Sequence, residues 1–462
     1  MTGKRLKILV FISDMGGCFH YRCRIPLDSL MNYGVVWQPY SFLPSEVNNP
    51  DSFNALVNMI SSFDLVIIQR CFLKTVCERL IQACRLLSLP ILMETDDDYL
   101  SIIPSNPAYF AIVKDQRLFN QFVEMQQQAQ HLLNGGKKIE ADACIRRIQE
   151  MVPLLMKSRE EGLEDYKWIL RNVDGVTVST RELAWTIYPY NKNVHVFENQ
   201  VQFCYPWRLD APEEAFIHEV NGVKQVQIQN RLGLYTVPKY AVVENTIRGM
   251  KAQEIRKTPR MIYTCTSSHL GPDFDTVSGG INKVAKKLFN KSWYIFLGDS
   301  PQAGSRLGPF GSQITSDPGR VLSLNGSEYN MYTQNILNGD YGIAPLASTT
   351  FNLAKSSVKA LELGAARVAP LLPHIQTYLR DFKDNDTALF YRNENEFCEK
   401  MELFITNHRV REEIASNALK YVINNRLSWL PKNTEPRYDF YRNLVNSTPR
   451  LKIYKSAVAS NA

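Results

Sequence analysis

Short apolar runs alternate with amphipathic stretches along most of this chain. The first three runs are Lys7–Ser13, Asp64–Gln69 and Pro90–Glu94, and helical patterns over Arg22–Tyr33 and Lys74–Leu87 lie between them. Runs of this length that alternate with helices are typical of parallel α/β sheets, in which a helix connects each strand to the next. The pattern therefore predicts a Rossmann-like domain at the amino end of the chain.

A polar region interrupts this rhythm at about residues 105–170. Its apolar residues recur at helical spacing, and Asn134-Gly135-Gly136 is a turn signal. We expect a helical hairpin inserted into the amino-terminal domain. The β-rich runs Gly175–Ser179 and Val194–Phe197 then complete that domain.

A second block of the same kind begins after Pro259. Its expected strands are Met261–Thr264, Trp293–Leu297, Val321–Leu324, Tyr341–Ala344 and Val368–Leu371. The predicted fold class is therefore α/β, with two Rossmann-like domains. The expected bounds are 1–200 for the amino-terminal domain, 201–258 for a linker with a β-rich segment, 259–425 for the second domain and 426–462 for a helical tail.

The composition is that of an ordinary globular protein. Hydrophobic residues make up 45% and charged residues 21% of the 462 residues, which excludes a disordered or collagen-like chain. The formal net charge of +7 allows a polyanionic partner but does not require one. The nine cysteines form no C-x2-C pair, and no apolar run reaches the roughly 18 residues of a spanning helix. We therefore expect a cytoplasmic protein without a zinc site or a membrane span.

The loop after the first expected strand is one candidate for function, because ligands of open α/β sheets bind at the carboxyl ends of strands. Gly16 and Gly17 lie there, and paired glycines let backbone N–H groups approach a phosphate at the start of the next helix. They also suit a sharp turn without a ligand, and the glycine motifs G-x-G-x-x-G and G-x4-G-K-[ST] are both incomplete. His20 is a candidate for contact with a substrate, although a single histidine is more often structural.

A run of three carboxylates, Asp96-Asp97-Asp98, follows the third apolar run. Adjacent carboxylates repel each other unless they are solvated, hydrogen-bonded or bound to a metal. The run can supply a catalytic base, a divalent-metal site, or an exposed acidic loop whose first residue caps the next segment. Asp97 is the candidate base.

The most informative stretch is Gly339–Ala366. A strand is followed by a polar loop, and a helix is expected to start near Ser356. Unpaired backbone N–H groups at the start of that helix can bind an anion, with Lys355 beside them. Lys355, Lys359 and Glu362 share one face of the helix, so they can equally form a solvated stripe of charge pairs.

This stretch resembles the donor-binding motif of GT-B glycosyltransferases, specifically of retaining members related to family four (group 1). The motif has the form D-x-G-[IL]-x-P-L, followed by F-N-x-x-K-S-x-x-K-x-L-E. The matching residues are Asp340, Gly342, Ile343, Pro345, Leu346, Phe351, Asn352, Lys355, Ser356, Lys359, Leu361 and Glu362. One departure is Ala354, which stands where the family has the first Glu of an E-x7-E pair.

The resemblance implies two Rossmann-like domains that face a cleft, with a nucleotide-diphosphate sugar held mainly by the second. It assigns the ribose hydroxyls to Glu362, makes Asn352 a candidate for sugar contact, and places His269 in a loop that would face the donor. It assigns the diphosphate to Lys355, Ser356, Ser357 and Val358, with Gly16 and Gly17 closing on it from the opposite domain. Such enzymes usually need no metal or other cofactor, because cationic side chains and helix dipoles stabilise the diphosphate leaving group.

The leading hypothesis is a hexosyl- or pentosyltransferase that moves a sugar from a nucleotide-diphosphate donor, which is a substrate, to an acceptor hydroxyl. Some virus-encoded members of this fold glycosylate modified bases in DNA. Such a base is therefore one expected acceptor, in the host cytoplasm if the chain is virus-encoded. A surface polysaccharide or a lipid-linked glycan is the rival acceptor. An inverting mechanism would require a base such as Asp97, and a retaining mechanism would not.

Three other functions stay open at this point. One is a nucleotide-sugar epimerase, and another is a catalytically inactive relative of the transferases. The third is a non-enzymatic nucleic-acid-binding protein on a Rossmann-like scaffold. Basic and aromatic residues near the carboxyl end, such as Arg426, Arg437 and Tyr441, can stack and pair with nucleic acid, or can belong to a helix that packs against the domains.

Overall fold

The computed structural model describes residues 5–41, 50–104, 106–110, 112–202, 217–220, 223–230, 233–238, 258–265, 271–301 and 305–448. The chain divides into two compact units. The first consists of Met1–Asp14, Gly34–Val196 and Phe440–Ala462, and the second of Met15–Tyr33 and Phe197–Asp439. The helical stretch after the first strand thus groups with the second unit. The domain bounds expected from the sequence stay a prediction.

The elements follow one another in regular alternation. The described strands are β1 (Leu6–Ile12), β2 (Val35–Ser41), β3 (Leu65–Gln69), β4 (Ile91–Thr95), β5 (Gly175–Val178), β6 (Val194–Val196), β7 (Ile217–Val220), β8 (Val223–Asn230), β9 (Gly233–Pro238), β10 (Arg260–Thr264), β11 (Trp293–Leu297), β12 (Val321–Leu324), β13 (Tyr341–Ile343), β14 (Ala369–Pro373) and β15 (Leu389–Tyr391). The described α-helices are α1 (Gly17–Phe19), α2 (Ile25–Leu30), α3 (Pro50–Ile60), α4 (Lys74–Leu86), α5 (Gln116–Asn134), α6 (Lys138–Asn172), α7 (Arg181–Ile187), α8 (Pro272–Lys287), α9 (Tyr329–Ile336), α10 (Thr350–Leu353), α11 (Val358–Ala365), α12 (Gln376–Leu379), α13 (Glu394–Thr406), α14 (His408–Asn425) and α15 (Pro431–Ser447).

The first unit contains a six-stranded parallel sheet in the order β2-β1-β3-β4-β5-β6. Every residue of β3 and β4 is buried, as expected for central strands of a parallel sheet that is covered on both faces. The strands expected from the apolar runs of this part of the chain are confirmed, with bounds that differ by no more than about one residue.

The second unit contains another six-stranded parallel sheet, in the order β12-β11-β10-β13-β14-β15. The expected strands are again confirmed, but β15 was missed because three residues are too few to show an apolar pattern. A separate three-stranded antiparallel sheet, β7-β8-β9, lies in the region expected to be a β-rich linker. The two parallel sheets confirm the predicted α/β class.

The helical insertion of the first unit is also confirmed. It consists of α5 and of α6, which is 35 residues long. The Asp115 carboxylate caps α5, and Gly136 takes a φ of +74° in the turn between the two helices. Gly162 lets α6 lie close to the preceding loop, because a Cβ at this position would lie 1.9 Å from the carbonyl oxygen of Ile112.

The expected single α-helix after β1 is wrong in one respect: a π-helical turn over His20–Arg24 interrupts it. The N–H of Ile25 bonds to the carbonyl of His20, five residues earlier. Pro26, the next residue, has no N–H that could bond to the carbonyl of Arg22 in the α-helical manner. The wide turn therefore sets the directions in which the side chains of this segment project.

Candidate functional site

The carboxyl end of β13 leads into the motif that the sequence singled out. A loop and the short α10 come first, and α11 then begins at Val358, slightly later than the expected start near Ser356. Gly342 in β13 is a packing requirement, because a Cβ there would lie 2.4 Å from Cδ2 of Leu363 on α11. This contact fixes α11 against the end of β13.

Glu362 lies on the buried side of α11 and is only 2% exposed. Its Oε1 accepts a hydrogen bond from the Tyr21 hydroxyl, and its Oε2 accepts one of 2.6 Å from the Tyr332 hydroxyl. Burial raises the pKa of Glu362, while the charge of Lys359 and the two hydroxyl donors oppose that rise. Both carboxylate oxygens are therefore oriented by hydroxyl donors.

Lys359 is anchored to the end of β10. Its Nζ donates to the carbonyl oxygen of Thr264 at 2.8 Å and to the hydroxyl oxygen at 3.1 Å. Burial lowers the pKa of Lys359, and the carboxylate of Glu362 opposes that effect. Because Lys359 is bonded to Thr264 and Glu362 is buried, these two residues do not form the solvated charged stripe that the sequence also allowed.

The start of α11 presents a group of backbone N–H donors. The N–H groups of Ser356, Ser357 and Val358 have no acceptor among the residues that the structure describes. The side chains beside them are fixed: Ser356 Oγ accepts a 2.8 Å hydrogen bond from the Asn199 amide, and Ser357 Oγ donates to Asp381 Oδ2. Such a helix start is suited to an anion.

The predicted cation of this site, Lys355, lies in the loop before α11. Its Nζ is 4.6 Å from the centroid of the Phe351 ring, and its backbone carbonyl accepts a hydrogen bond from the guanidinium of Arg380. The lysine thus sits close to the helix start in sequence and is ordered by an aromatic face.

A charged cluster around Asp381 supports the same helix start, and sequence reasoning missed it. Asp381 accepts hydrogen bonds from Ser357, from the Tyr421 hydroxyl (2.6 Å) and from Arg426 Nε (2.8 Å). Burial disfavours the charge of Arg426, but the Asp381 and Glu198 carboxylates outweigh it and raise the pKa of the guanidinium. No short-range pattern connects these residues, which lie far apart in the sequence.

Two basic residues near the carboxyl end, Arg426 and Arg437, are engaged within the second unit. Arg426 is ion-paired with Asp381 and Glu198, and Arg437 is only 1% exposed with its guanidinium 4.5 Å from the centroid of the Phe197 ring. This arrangement agrees with the packing-helix interpretation of the tail. It removes these two arginines from any exposed platform for nucleic acid.

Gly16, Gly17 and His20 belong to the same compact unit as Glu362. Gly17 is exposed, and a Cβ there would meet no atom within 4 Å, so packing does not require a glycine. His20 is 8% exposed, and its ring stacks on that of Tyr329 at a centroid distance of 4.4 Å.

Arg22 connects the π-helical turn to the start of α11. Its guanidinium donates to Asn199 Oδ1 at 2.8 Å and to the carbonyl oxygen of Phe197, while Asn199 in turn donates to Ser356. Only the long-range contact with Asn199 shows this role, so the sequence had not indicated it.

Asn352, the candidate for sugar contact, is 2% exposed and holds the preceding loop. Its amide nitrogen donates to Asp273 Oδ1 at 2.8 Å and to the carbonyl oxygen of Ala347 at 2.9 Å. Asp273 also accepts a hydrogen bond from the Ala347 N–H. The amide oxygen of Asn352 has no hydrogen-bond partner in the described part of the chain.

Asp97, the candidate base, lies in the first unit after β4 and is partly exposed. Its neighbour Asp98 is buried and accepts hydrogen bonds from the Leu100 N–H (3.2 Å) and the Thr186 hydroxyl (3.4 Å). Burial raises the pKa of Asp98, and these hydrogen bonds oppose the rise. Asp98 therefore shapes the loop.

His269 and its loop lie outside the described residues. Within the described ranges, no group of three or more His, Cys, Asp and Glu residues is arranged to hold a metal ion. None of the described helices is long and apolar enough to cross a membrane.

The fold resembles those of solved glycosyltransferase structures. HepE of Anabaena, in complex with UDP and glucose, matches with a TM-score of 0.57 and 10% identity over 95% of this chain and 100% of its own. The glycosyltransferase of Rickettsia africae matches with a TM-score of 0.56 and 10% identity over 96% and 100%. The sucrose-phosphate synthase of Thermosynechococcus elongatus matches with a TM-score of 0.53 and 10% identity over 96% and 100%.

Neither a protein-family model nor the sequence of a curated protein matches the chain. At 10% identity the structural likeness concerns the fold. Together with the two six-stranded parallel sheets, it shows that this chain has the two-domain α/β fold of the GT-B glycosyltransferases.

Proposed function

We propose that this chain is a glycosyltransferase, which moves a hexosyl or pentosyl group from a nucleotide-diphosphate sugar to an acceptor hydroxyl. The fold supports this proposal, because HepE, whose fold is similar, forms complexes with UDP and with UDP-glucose. The sequence motif supports it independently, since its charged residues Lys355, Lys359 and Glu362 follow the carboxyl end of β13, where α/β proteins bind ligands.

The observation that carries the proposal is the arrangement of α11. Three backbone N–H donors at its start suit a diphosphate, and Glu362, at the fifth position of the helix, is a carboxylate that already accepts two hydroxyl hydrogen bonds. In the proposed complex Ser356, Ser357 and Val358 bind the diphosphate with Lys355, and Glu362 binds ribose hydroxyls. Charge develops on the diphosphate as the glycosidic bond breaks, and the oriented N–H groups stabilise it.

The other predicted residues have subsidiary roles in the proposal. The exposed Gly17, beside Gly16, leaves room for the diphosphate, and Asn352 offers its unpaired amide oxygen to a sugar hydroxyl. His20 and His269 remain candidates for contact with the sugar or the acceptor. If the reaction inverts the anomeric centre, Asp97 is the base that takes the proton of the acceptor hydroxyl.

We further propose a hydroxylated, modified base in DNA as the acceptor. The net charge of +7 and the resemblance to virus-encoded members of the fold support this choice. The test is transfer of label from a nucleotide sugar to DNA with hydroxymethylated bases, with unmodified DNA and a lipid-linked glycan as the other arms. Label in the lipid-linked glycan alone would contradict the DNA acceptor and leave the transferase proposal standing.

The donor site is tested by a thermal-shift screen of the full chain against UDP, GDP, ADP, CDP and their common sugars. A ligand at about a hundred times its Kd stabilises the folded protein by about 2.7 kcal/mol. We expect one nucleotide to shift the unfolding temperature, and we expect Glu362→Gln to lose that shift because it removes the charge that accepts the ribose hydroxyls.

The matched control is Glu412→Gln, which changes a carboxylate that pairs with Arg367 at 3.2 Å on the surface of the same unit. This variant should keep the full shift. If no nucleotide shifts the wild-type protein, the transferase proposal is wrong.

A further inference from the structure

Each oxygen of the Glu362 carboxylate already accepts a hydrogen bond from one of this chain's own side chains. Tyr21 bonds to one oxygen and Tyr332 to the other, and the residue is 2% exposed. Each oxygen keeps a second lone pair, but Glu362 is so deeply buried that a ribose hydroxyl can reach the carboxylate only if one of these tyrosine side chains moves. The proposed donor site cannot bind ribose in the described arrangement without a local exchange of hydrogen bonds.

The two tyrosines differ in how firmly they are held. Tyr21 is 7% exposed, lies in the π-helical turn, and its ring packs edge-on against Tyr329 at a centroid distance of 5.6 Å. Tyr332 is partly exposed and lies in the middle of the short helix α9. Tyr332 packs against the core of the second unit, and its hydroxyl also contacts the side chain of Thr264. Because Tyr332 is the more exposed of the two tyrosines, its side chain can turn toward solvent with a smaller loss of buried area than that of Tyr21.

We propose that Tyr332 is a specificity-determining residue of the donor site: its hydroxyl holds the place of a ribose hydroxyl on Glu362, and the two exchange when a ribonucleotide binds. The proposal rests on the proposed function, since it assumes that Glu362 receives ribose. Each exchange replaces one hydroxyl donor by another, so the buried carboxylate keeps its hydrogen bond throughout.

The exchange has a consequence for nucleotides that lack ribose hydroxyls. Such a nucleotide has no hydroxyl to put in place of the tyrosine hydroxyl. Displacing Tyr332 would then remove a hydrogen bond from a buried carboxylate without replacing it, which is costly. Tyr332 then stays on Glu362, and the nucleotide binds through its diphosphate and base alone. Removal of the Tyr332 hydroxyl should therefore affect only ligands that carry ribose hydroxyls.

The experiment compares wild type with Tyr332→Phe by isothermal titration calorimetry, using UDP and 2′,3′-dideoxy-UDP as probes. In Tyr332→Phe, ribose binding no longer has to break the hydrogen bond between the Tyr332 hydroxyl and the Glu362 carboxylate. The Kd for UDP should thus fall about tenfold, while the Kd for the dideoxy analogue stays unchanged. Tyr341→Phe is the matched control, because it removes a buried hydroxyl that bonds to Ser292 at 2.8 Å in the same unit, and neither Kd should change.

Tyr21→Phe frees the other oxygen of Glu362 and should act in the same direction, which keeps the test available if Tyr332→Phe does not fold. An unchanged or higher Kd for UDP in the folded variant would overturn the exchange, because the tyrosine would then support ribose binding or take no part in it. An equal fall in the Kd values for UDP and for 2′,3′-dideoxy-UDP would also overturn the exchange, because the effect would then not depend on ribose hydroxyls. Absence of binding by wild type to UDP, GDP, ADP and CDP alike is a different result, which contradicts the proposed function itself.

Discussion

Asp340, the first residue of the recognised motif, forms an ion pair with Arg260 that contributes to the stability of the second unit. Its Oδ2 accepts from Arg260 Nε at 2.8 Å and from the Arg260 N–H at 2.9 Å, and its Oδ1 accepts from Nη2 at 2.9 Å. The guanidinium of Arg260 is 1% exposed, so Asp340 is its main compensation. The motif therefore contains a residue that connects the starts of β10 and β13.

Replacing Asp340 by Asn should lower the free energy of unfolding of the second unit by about 3 kcal/mol, because it leaves a buried guanidinium without its counter-charge. Hydrogen exchange of the β10 and β13 amides measures this unit by itself. Glu412→Gln, which breaks the more exposed pair with Arg367, should cost less than about 1 kcal/mol. Equal effects of the two variants would contradict this account.

The same ion pair predicts a pH dependence. Burial disfavours the charge of Asp340, but the neighbouring Arg260 outweighs it and holds the pKa of the carboxyl below its usual value. A carboxyl with a lowered pKa in the folded state stabilises that state above the pKa of the unfolded chain, about 3.9, and the stabilisation is lost as pH falls through the folded value. The difference in stability between wild type and Asp340→Asn should therefore be constant near neutral pH and shrink below about pH 4.

At the scale of elements, the site depends on how closely α11 lies against β13. Gly342 permits the contact with Leu363 that fixes the helix, and Glu362 is the adjacent residue on that helix. A methyl group added at Gly342 would therefore displace Leu363 and, through the backbone of α11, the neighbouring Glu362.

Gly342→Ala should lower the free energy of unfolding by about 1–3 kcal/mol, because the added methyl must push Leu363 out of its packing. Gly17→Ala is the control for an added methyl on a glycine, since a Cβ there meets no atom within 4 Å. It should change stability by less than about 0.5 kcal/mol. Denaturant unfolding of the two variants decides the point, and a Gly342→Ala protein as stable as wild type would show that α11 can shift freely.

At the scale of the whole molecule, the formal charge of +7 bears on the acceptor. If DNA is the acceptor, the KM for DNA should rise about tenfold between 50 and 200 mM NaCl even with only two phosphate contacts, because counterion release weakens at high salt. The KM for the nucleotide sugar is the internal reference. Steady-state kinetics at several salt concentrations gives both values, and an unchanged KM for the acceptor would favour a neutral glycan.

The sequence predicted most of the architecture because parallel strands leave a strong local signal. Buried runs such as Trp293–Leu297 and Leu65–Ile68 are continuous and apolar, and the turns and helices between them are marked by glycine and polar residues. The interruption at His20–Arg24 left a weaker signal. Pro26 was visible, but a proline is also tolerated in the first turn of an α-helix, so it did not by itself indicate a π-helical turn before it.

The candidate site was predicted only in part. The segment that contains Lys355 and Glu362 was found because its residues are neighbours in sequence and match a motif. The residues that surround it, such as Tyr332, Asn199 and Asp381, were missed because their role depends on contacts that join distant parts of the chain. A periodic pattern carries no information about such contacts.

By itself, the sequence determined the α/β class and the position of most strands, which follow from local hydrophobic periodicity, and it singled out the candidate segment Gly339–Ala366 from a contiguous motif. The tertiary structure decided which side chains are the hydrogen-bond and ion-pair partners of the charged residues. It placed Glu362 under two tyrosine hydroxyls, anchored Lys359 on Thr264, and paired Asp340 with Arg260. The physical reason is that hydrogen bonding and burial are properties of neighbours in space, and most of these neighbours are far apart along the chain.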